Sequence, residues 1–200
     1  EQRDQPEPVE QQAQQEQAEQ QAQQDLLDQR DQQAQLGHNR RLMNNLKICV
    51  YAICKNESKF IKRWLESIKD ADYICVLDTG STDNSLELLK EAGVILGEKT
   101  FEKFRFDEAR NESLKLIPED TDVCVCLDID EVALPGWKEA IQESWQPNTT
   151  RLRYTYNWSL DEFDRPKVSF YQDKIHNKVY IWVNAVHEIL KYQGEKEIYA

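Results

Sequence analysis

Residues 47–80 read KICVYAICKNESKFIKRWLESIKDADYICVLDTG, and this stretch decides the fold. Ile48 to Cys54 is an unbroken apolar run, as expected of a strand buried on both faces. Phe60, Ile61, Trp64, Leu65 and Ile68 then recur at helical spacing. Tyr73 to Leu77 is a second apolar run, and it ends in Asp78. A buried strand, an amphipathic helix and a second buried strand predict a parallel pair joined by a crossover helix.

The same alternation continues outward. TGSTDNSLELLKEAGV (79–94) reads as a turn and a helix stopped by Gly93, followed by a short strand around Val94–Leu96. FDEARNESLKLI (106–117) is a helix, and TDVCVCLDID (121–130) is a buried strand running into acid. LPGWKEAIQESW (134–145) opens a helix with Pro135 near its first turn. From Thr149 the aromatic runs RLRYTYNW, KVSFYQ and KVYIWV are strand-like. The expected fold is α/β: a mostly parallel, Rossmann-like sheet with helices on both faces and a more β-rich C-terminal part. Ligands of such sheets sit at the carboxyl ends of the strands. Three of those ends are polar or acidic: Lys55–Asn56–Glu57, Asp78–Thr79–Gly80 and Asp128–Ile129–Asp130.

Upstream the composition changes. Residues 1–45 are mostly Gln, Glu, Asp, Ala and Arg, and every Trp, Tyr, Phe and Cys comes after Lys47. Without an apolar stripe they read as a Gln-rich, low-complexity arm or linker, with self-association as a further possible role. Residues 46–200 hold the core and form one domain. The formal net charge is −12, which argues against a nucleic-acid partner. No apolar run approaches the length of a membrane span, and the N-terminus has no signal-peptide core. Five cysteines in apolar surroundings, none in C-x-x-C spacing, are expected to be reduced, as in a cytoplasmic protein. The chain does not open on Met and stops soon after an apolar stretch, which leaves open whether it is a piece of a longer protein.

An acidic protein that binds an anionic substrate needs local positive charge. Of three D-x-D patterns, Asp70/Asp72 and Asp120/Asp122 flank turns and are expected to be solvated. Only Asp128 and Asp130 follow a buried strand, where unpaired carboxylates are costly. Oxygen ligands there suit Mg2+ or Mn2+, the bland alternative being a helix cap before LPGW. Asp78 can accept from a base N–H or a ribose hydroxyl; alternatively its turn is a plain connection capped by Ser81 or Asp83. Arg110 can pair with a diphosphate, although spacing favours Asp107 or Glu108 as partners. His187 can complete a metal site, although a lone histidine is more often structural. The spacings of a dinucleotide fingerprint, a P-loop, a zinc protease and an EF-hand are all absent. Tyr154, Tyr156, Trp158, Phe170, Tyr171, Tyr180 and Trp182 are expected to be mostly core, with one or two able to face a sugar.

Taken in order, ICKNESKFIKRWLESI, VLDTGSTDNSLELLKE, FRFDEARNESL, CLDIDEVALPGW and WVNAVHE resemble family 2 glycosyltransferases of the GT-A fold. The resemblance is greatest to the bacterial branch with lipopolysaccharide-core glucosyltransferases and peptide S-glycosyltransferases. It implies a nucleotide-sugar donor, UDP-linked, and a divalent metal, Mn2+ or Mg2+. It places Asn56, Glu57, Asp78, Ser81, Arg110, Asn111 and Asp128 at the nucleotide. Asp128, Asp130 and His187 would hold the metal. Asp130 and Glu188, with Glu131 as a third candidate, would supply the catalytic carboxylate. Thr79 stands where the family usually has Asp or Ser. The acceptor, whether glycan, lipid or peptide, is not readable. Two other readings compete: a nucleotidyltransferase, which would be expected to carry a Gly-rich basic loop after its first strand, and a non-catalytic scaffold.

Overall fold

The computed structural model describes residues 21, 24–26, 28–30, 46–163 and 165–200. The chain divides into Glu1–Leu42 and Met43–Ala200. In the first unit the described residues are helical and exposed, with Gln21 and Gln24 donating to Asp25 and Asp28 one turn on. The remainder of the Gln-rich arm lies outside the described residues.

The second unit runs β1 (Ile48–Cys54), α1 (Ser58–Ser67), β2 (Tyr73–Asp78), α2 (Ser85–Glu91), β3 (Ile95–Glu98), α3 (Phe106–Leu114) and β4 (Val123–Cys126). It continues with α4 (Trp137–Ser144), β5 (Arg151–Leu160), β6 (Pro166–His176), β7 (Tyr180–Val183) and β8 (Ile189–Tyr192). Six strands form one sheet in the order β3-β2-β1-β4-β6-β5, and β7 and β8 form a separate hairpin. β3, β2, β1 and β4 are parallel, while β6 and β5 add antiparallel. This is the α/β arrangement expected from residues 47–130, with β1 central.

Period-two alternation sorts the side chains of β1 between two cores. Ile48, Val50, Ala52 and Cys54 pack on one face with Ile61, Trp64 and Ile68 of the α1 segment, Leu89 of α2 and Ile141 of α4. Cys49 and Tyr51 face the other way, with Cys75, Cys124 and Cys126. That second face is covered by Leu114 of α3 and by Tyr180, Trp182 and Leu190 of the β7–β8 hairpin. The expectation of helices on both faces is therefore refined, because a hairpin shares the second face. All five cysteines are buried and free.

Two further expectations need correcting. Asp72 and Asp122 are not merely solvated: their carboxylates accept from the backbone N–H groups of Ile48 and Lys47, at 2.9 and 2.8 Å. They satisfy the open start of β1, at the end of the sheet opposite Asp78. The aromatic set is also only partly core. Tyr180 and Trp182 are buried, whereas Trp158, Phe170 and Tyr171 are exposed. β6 pairs with β4 only at Ile175 and His176, so the outer half of the β5–β6 ribbon has no sheet beside it to pack on.

Candidate active site

β2, β1 and β4 are adjacent, so their carboxyl ends bring the three polar segments to one edge. At the end of β2, Asp78 is buried. Its Oδ1 accepts from the backbone N–H groups of Gly80 and Ser81, at 2.9 and 2.8 Å. Gly80, with φ +104, provides the left-handed bend that turns these amides back. Oδ2 is buried and has no donor. A carboxylate oxygen left so is expensive unless a ligand or water supplies a proton.

Asn56 braces this turn from the end of β1. Its Oδ1 accepts from the N–H groups of Thr82 and Asp83, at 2.7 and 3.3 Å, and its own N–H donates to the Ser81 hydroxyl. Neither Ser81 nor Asp83 is the helix cap, which is Asn84 without a side-chain hydrogen bond; Asp83, one residue earlier, accepts from the N–H groups of Ser85 and Ser58. Glu57 stands at the start of α1, its N–H donating to Ser85. Partial burial raises its carboxyl above the usual range, and the negative charges of Asp130, Asp83 and Asp128 add to this against Lys59.

Past β4 the arrangement is different. Asp128 Oδ1 accepts from Arg110 Nη1 at 2.8 Å, and Oδ2 from Lys174 Nζ at 2.9 Å. Burial pushes the Asp128 carboxyl up, but the Lys174 and Arg110 charges outweigh this and hold it at about 2. Arg110 is itself buried, and its Nε reaches Glu188 Oε1 at 2.7 Å while its plane lies 5.0 Å from the Trp182 ring. Asp107 and Glu108, the partners that spacing favoured, pair with Arg105 instead. Glu131 is nearly buried, accepts from the Asp128 N–H at 3.0 Å and lies 3.6 Å from Lys174.

Asp130 is exposed, and among the described residues its carboxylate makes no hydrogen bond or ion pair; its backbone carbonyl accepts from Arg63 at 2.7 Å. The helix-cap alternative fails, because α4 is preceded by Gly136 with no side-chain cap. Asn111 faces β7, exchanging two 2.8 Å hydrogen bonds with the Trp182 backbone, which fastens the hairpin to α3. His187 is exposed, with φ +56, in the turn between β7 and β8 that also carries Glu188 to Arg110. Among the described residues no three His, Cys, Asp or Glu are grouped to hold a metal ion. The expected cage of Asp128, Asp130 and His187 is thus not assembled, since two cations already occupy Asp128.

Carboxylates short of positive charge nevertheless remain on this edge. Asp130 and Glu57 fit a divalent ion that keeps water and phosphate oxygens in its shell, as Mg2+-type sites do with one or two carboxylates. Lys174 was not singled out from the sequence. Its only signal there is a charge beside Asp173, just past the strand-like run KVSFYQ.

Two cavities of about 620 Å3 flank this edge. One runs along α3, where Arg105, Lys99 and Lys115 are paired with Asp107, Glu108 and Glu112, so it is self-neutralised. The other opens at Asp130 and Glu131 and is walled by Trp137, Tyr154, Tyr156 and Trp158. The Trp137 indole N–H is buried there without an acceptor.

Among solved structures, TarS residues 1–349 from S. aureus are 22% identical over 54% of this chain and 34% of that one, with a TM-score of 0.43. Glucosyl-3-phosphoglycerate synthase from Mycobacterium tuberculosis, bound to Mn2+ and UDP-glucose, is 20% identical over 58% of this chain and 45% of that one, with a TM-score of 0.47. The chain therefore spans less than half the length of either. No curated protein matches. The glycosyl transferase family 2 pattern matches residues 49–187, from the start of β1 to the histidine of the hairpin turn, and the chain belongs to that family.

Proposed function

We propose that the domain binds a UDP-linked sugar at the shared edge of β1, β2 and β4 and transfers the sugar to an acceptor nucleophile by a single inverting displacement. The observation that carries this reading is the buried, donorless Oδ2 of Asp78 beside the Asp128–Asp130 edge in a family 2 chain. A uracil N–H or a ribose hydroxyl would satisfy that oxygen. Asp130, with Glu57 on the same rim, would hold a divalent ion whose remaining positions are left to water and diphosphate oxygens. When bound, the ion neutralises the charge that develops on the departing diphosphate. Arg110, already committed to Asp128 and Glu188, acts by fixing the D-x-D segment rather than by releasing itself to phosphate.

Of the carboxylates weighed as base, Glu188 is tied to Arg110 and Asp130 is assigned to the ion. Glu131 remains. It lines the aromatic cavity with Tyr156, and burial raises its carboxyl against the pull of Lys174. That cavity is where we place the acceptor, its nucleophile giving its proton to Glu131 as the bond to the anomeric carbon forms. The five free buried thiols suit a reducing compartment, so the domain is assigned to the cytoplasm. Among the described residues no helix is long and apolar enough to cross a membrane.

Calorimetry tests the donor reading. UDP should bind at least about tenfold more tightly in Mn2+ than in EDTA, since the site supplies little free positive charge of its own. Equal affinities would refute the metal, and no binding under either condition would favour a scaffold. Removing residues 1–45, whose sequence contains almost no core-forming side chains, should leave the UDP affinity unchanged.

A further inference from the structure

Lys174 reaches the site from β6, an antiparallel strand outside the β-α-β half. Its side chain is 19% exposed, with Nζ 2.9 Å from Asp128 Oδ2 and 3.6 Å from Glu131 Oε1. Burial disfavours its charge, but Asp128 leads the neighbours that outweigh this and keep it an ammonium. Together with Arg110, it satisfies both oxygens of the first D-x-D carboxylate. Asp130 lies outside this pairing.

We propose that Lys174 is the resident counter-cation of the D-x-D site, opposing a free divalent ion and making its entry conditional on the nucleotide. This rests on the metal-dependent donor reading above. An ion arriving alone meets two fixed positive charges around Asp128. Drawing that carboxylate away would leave the largely buried Lys174 with only the longer 3.6 Å contact to Glu131, which is unfavourable. A nucleoside diphosphate reverses the balance. Its oxygens bring enough negative charge for both the ion and the ammonium, so Lys174 that repels the ion alone attracts the ion–diphosphate complex. Arg110 cannot take this part, because its guanidinium is divided between Asp128 and Glu188 against Trp182. The ligand class selected is therefore a metal–nucleoside diphosphate rather than either component.

Opposite signs in two titrations test this. In Lys174→Met, Mn2+ alone should bind about tenfold more tightly than in the wild type, while UDP in saturating Mn2+ binds about tenfold more weakly. Lys174→Arg should return both toward wild type. A merely structural lysine would lower Tm and move the two affinities together, or move neither, and either result overturns the proposal. Should Lys174→Met not fold, Lys174→Gln keeps a donor for Asp128 without the charge and is read in the same way. A wild type that binds no UDP with Mn2+ would overturn the donor reading and the nucleotide half of this proposal. A wild type that binds it, with variants that match, overturns the role of Lys174 alone.

Discussion

Asp78 and Asp128 end strands on either side of β1 and are held in opposite ways. Asp78 is held by its own turn, through the N–H groups of residues two and three positions on, and keeps one oxygen without a donor. Asp128 is held by side-chain cations from α3 and β6, 18 and 46 residues away, and keeps none. The first carboxylate is positioned locally, by neutral dipoles, and remains open to a ligand. The second is positioned by tertiary structure and organises the site without being free to bind. Strand ends on one edge of a sheet can therefore divide reception and support between two aspartates that look alike in sequence.

The largest effect should come from breaking the tertiary side. Arg110→Met leaves Glu188 nearly buried without its partner and Asp128 with a single cation. A loss of about 3–5 kcal/mol is expected, as for other buried pairs that lose one member. Urea unfolding measures it, and adding Glu188→Gln should recover part of the loss by removing the stranded charge. If Arg110→Met unfolds at the wild-type midpoint, Asp128 is not anchored as described.

A neutral network nearby sharpens the contrast. His176 is fully buried, with Nδ1 2.6 Å from the Asn177 carbonyl and Nε2 2.8 Å from the Tyr51 hydroxyl, which accepts from the Trp182 indole at 2.9 Å. A carbonyl only accepts, so Nδ1 carries the proton and the ring is neutral. Burial pushes its pKa down to about 4, the Asn177 carbonyl opposing. The unfolded chain takes up a proton near pH 6.5 and the folded chain only near 4. This group's contribution is thus complete above 6.5 and falls by roughly 3 kcal/mol as pH drops to 4. His176→Gln should flatten that part of the stability–pH curve; an unchanged slope would show that the ring charges within the fold.

The same division governs what could be read from the sequence. β1 was legible as Ile48–Cys54 because a central strand is apolar throughout, and Asp78 because its turn follows it directly. The place of Asp128 and Asp130 just past β4 was legible from the apolar run before them. Lys174 was not, because a lysine in a strand carries no mark of the carboxylate that folding brings to it. Arg110 was assigned to diphosphate, or to its own helix, for the same reason: Glu188 lies 78 residues away. Trp158 and Tyr171 read as core residues because aromatic strands usually bury their side chains, but the ribbon that carries them extends past β4. Asp72 and Asp122 looked idle because the strand start they satisfy is distant in sequence.

Asp78→Asn tests the receptive side. The isosteric amide can keep its oxygen toward Gly80 and Ser81, so stability should change little. Its NH2 then replaces the donorless Oδ2 and cannot accept from a base or ribose. UDP affinity should fall by about 1.5–3 kcal/mol, the range for hydrogen bonds to charged groups. Unchanged affinity would mean that the nucleotide does not use this oxygen.

The smallest effect is expected at Asn56, where support and contact are closest to being confused. Its backbone is left-handed, φ +58, which asparagine tolerates better than most residues. Its amide oxygen holds the N–H groups of Thr82 and Asp83, just beyond the amides that hold Asp78. Asn56→Gly keeps the backbone angle and loses those bonds, so about 1 kcal/mol of stability should go. Asn56→Ala loses the same bonds and adds the left-handed penalty, roughly 1 kcal/mol more. Because the turn is loosened and Asp78 itself is intact, UDP affinity should fall less in Asn56→Gly than in Asp78→Asn. An affinity loss as large as that of Asp78→Asn, with stability unmoved, would reverse the assignment. Asn56 would then touch the nucleotide directly, as the family resemblance implies, and the two sides of the turn would share one role.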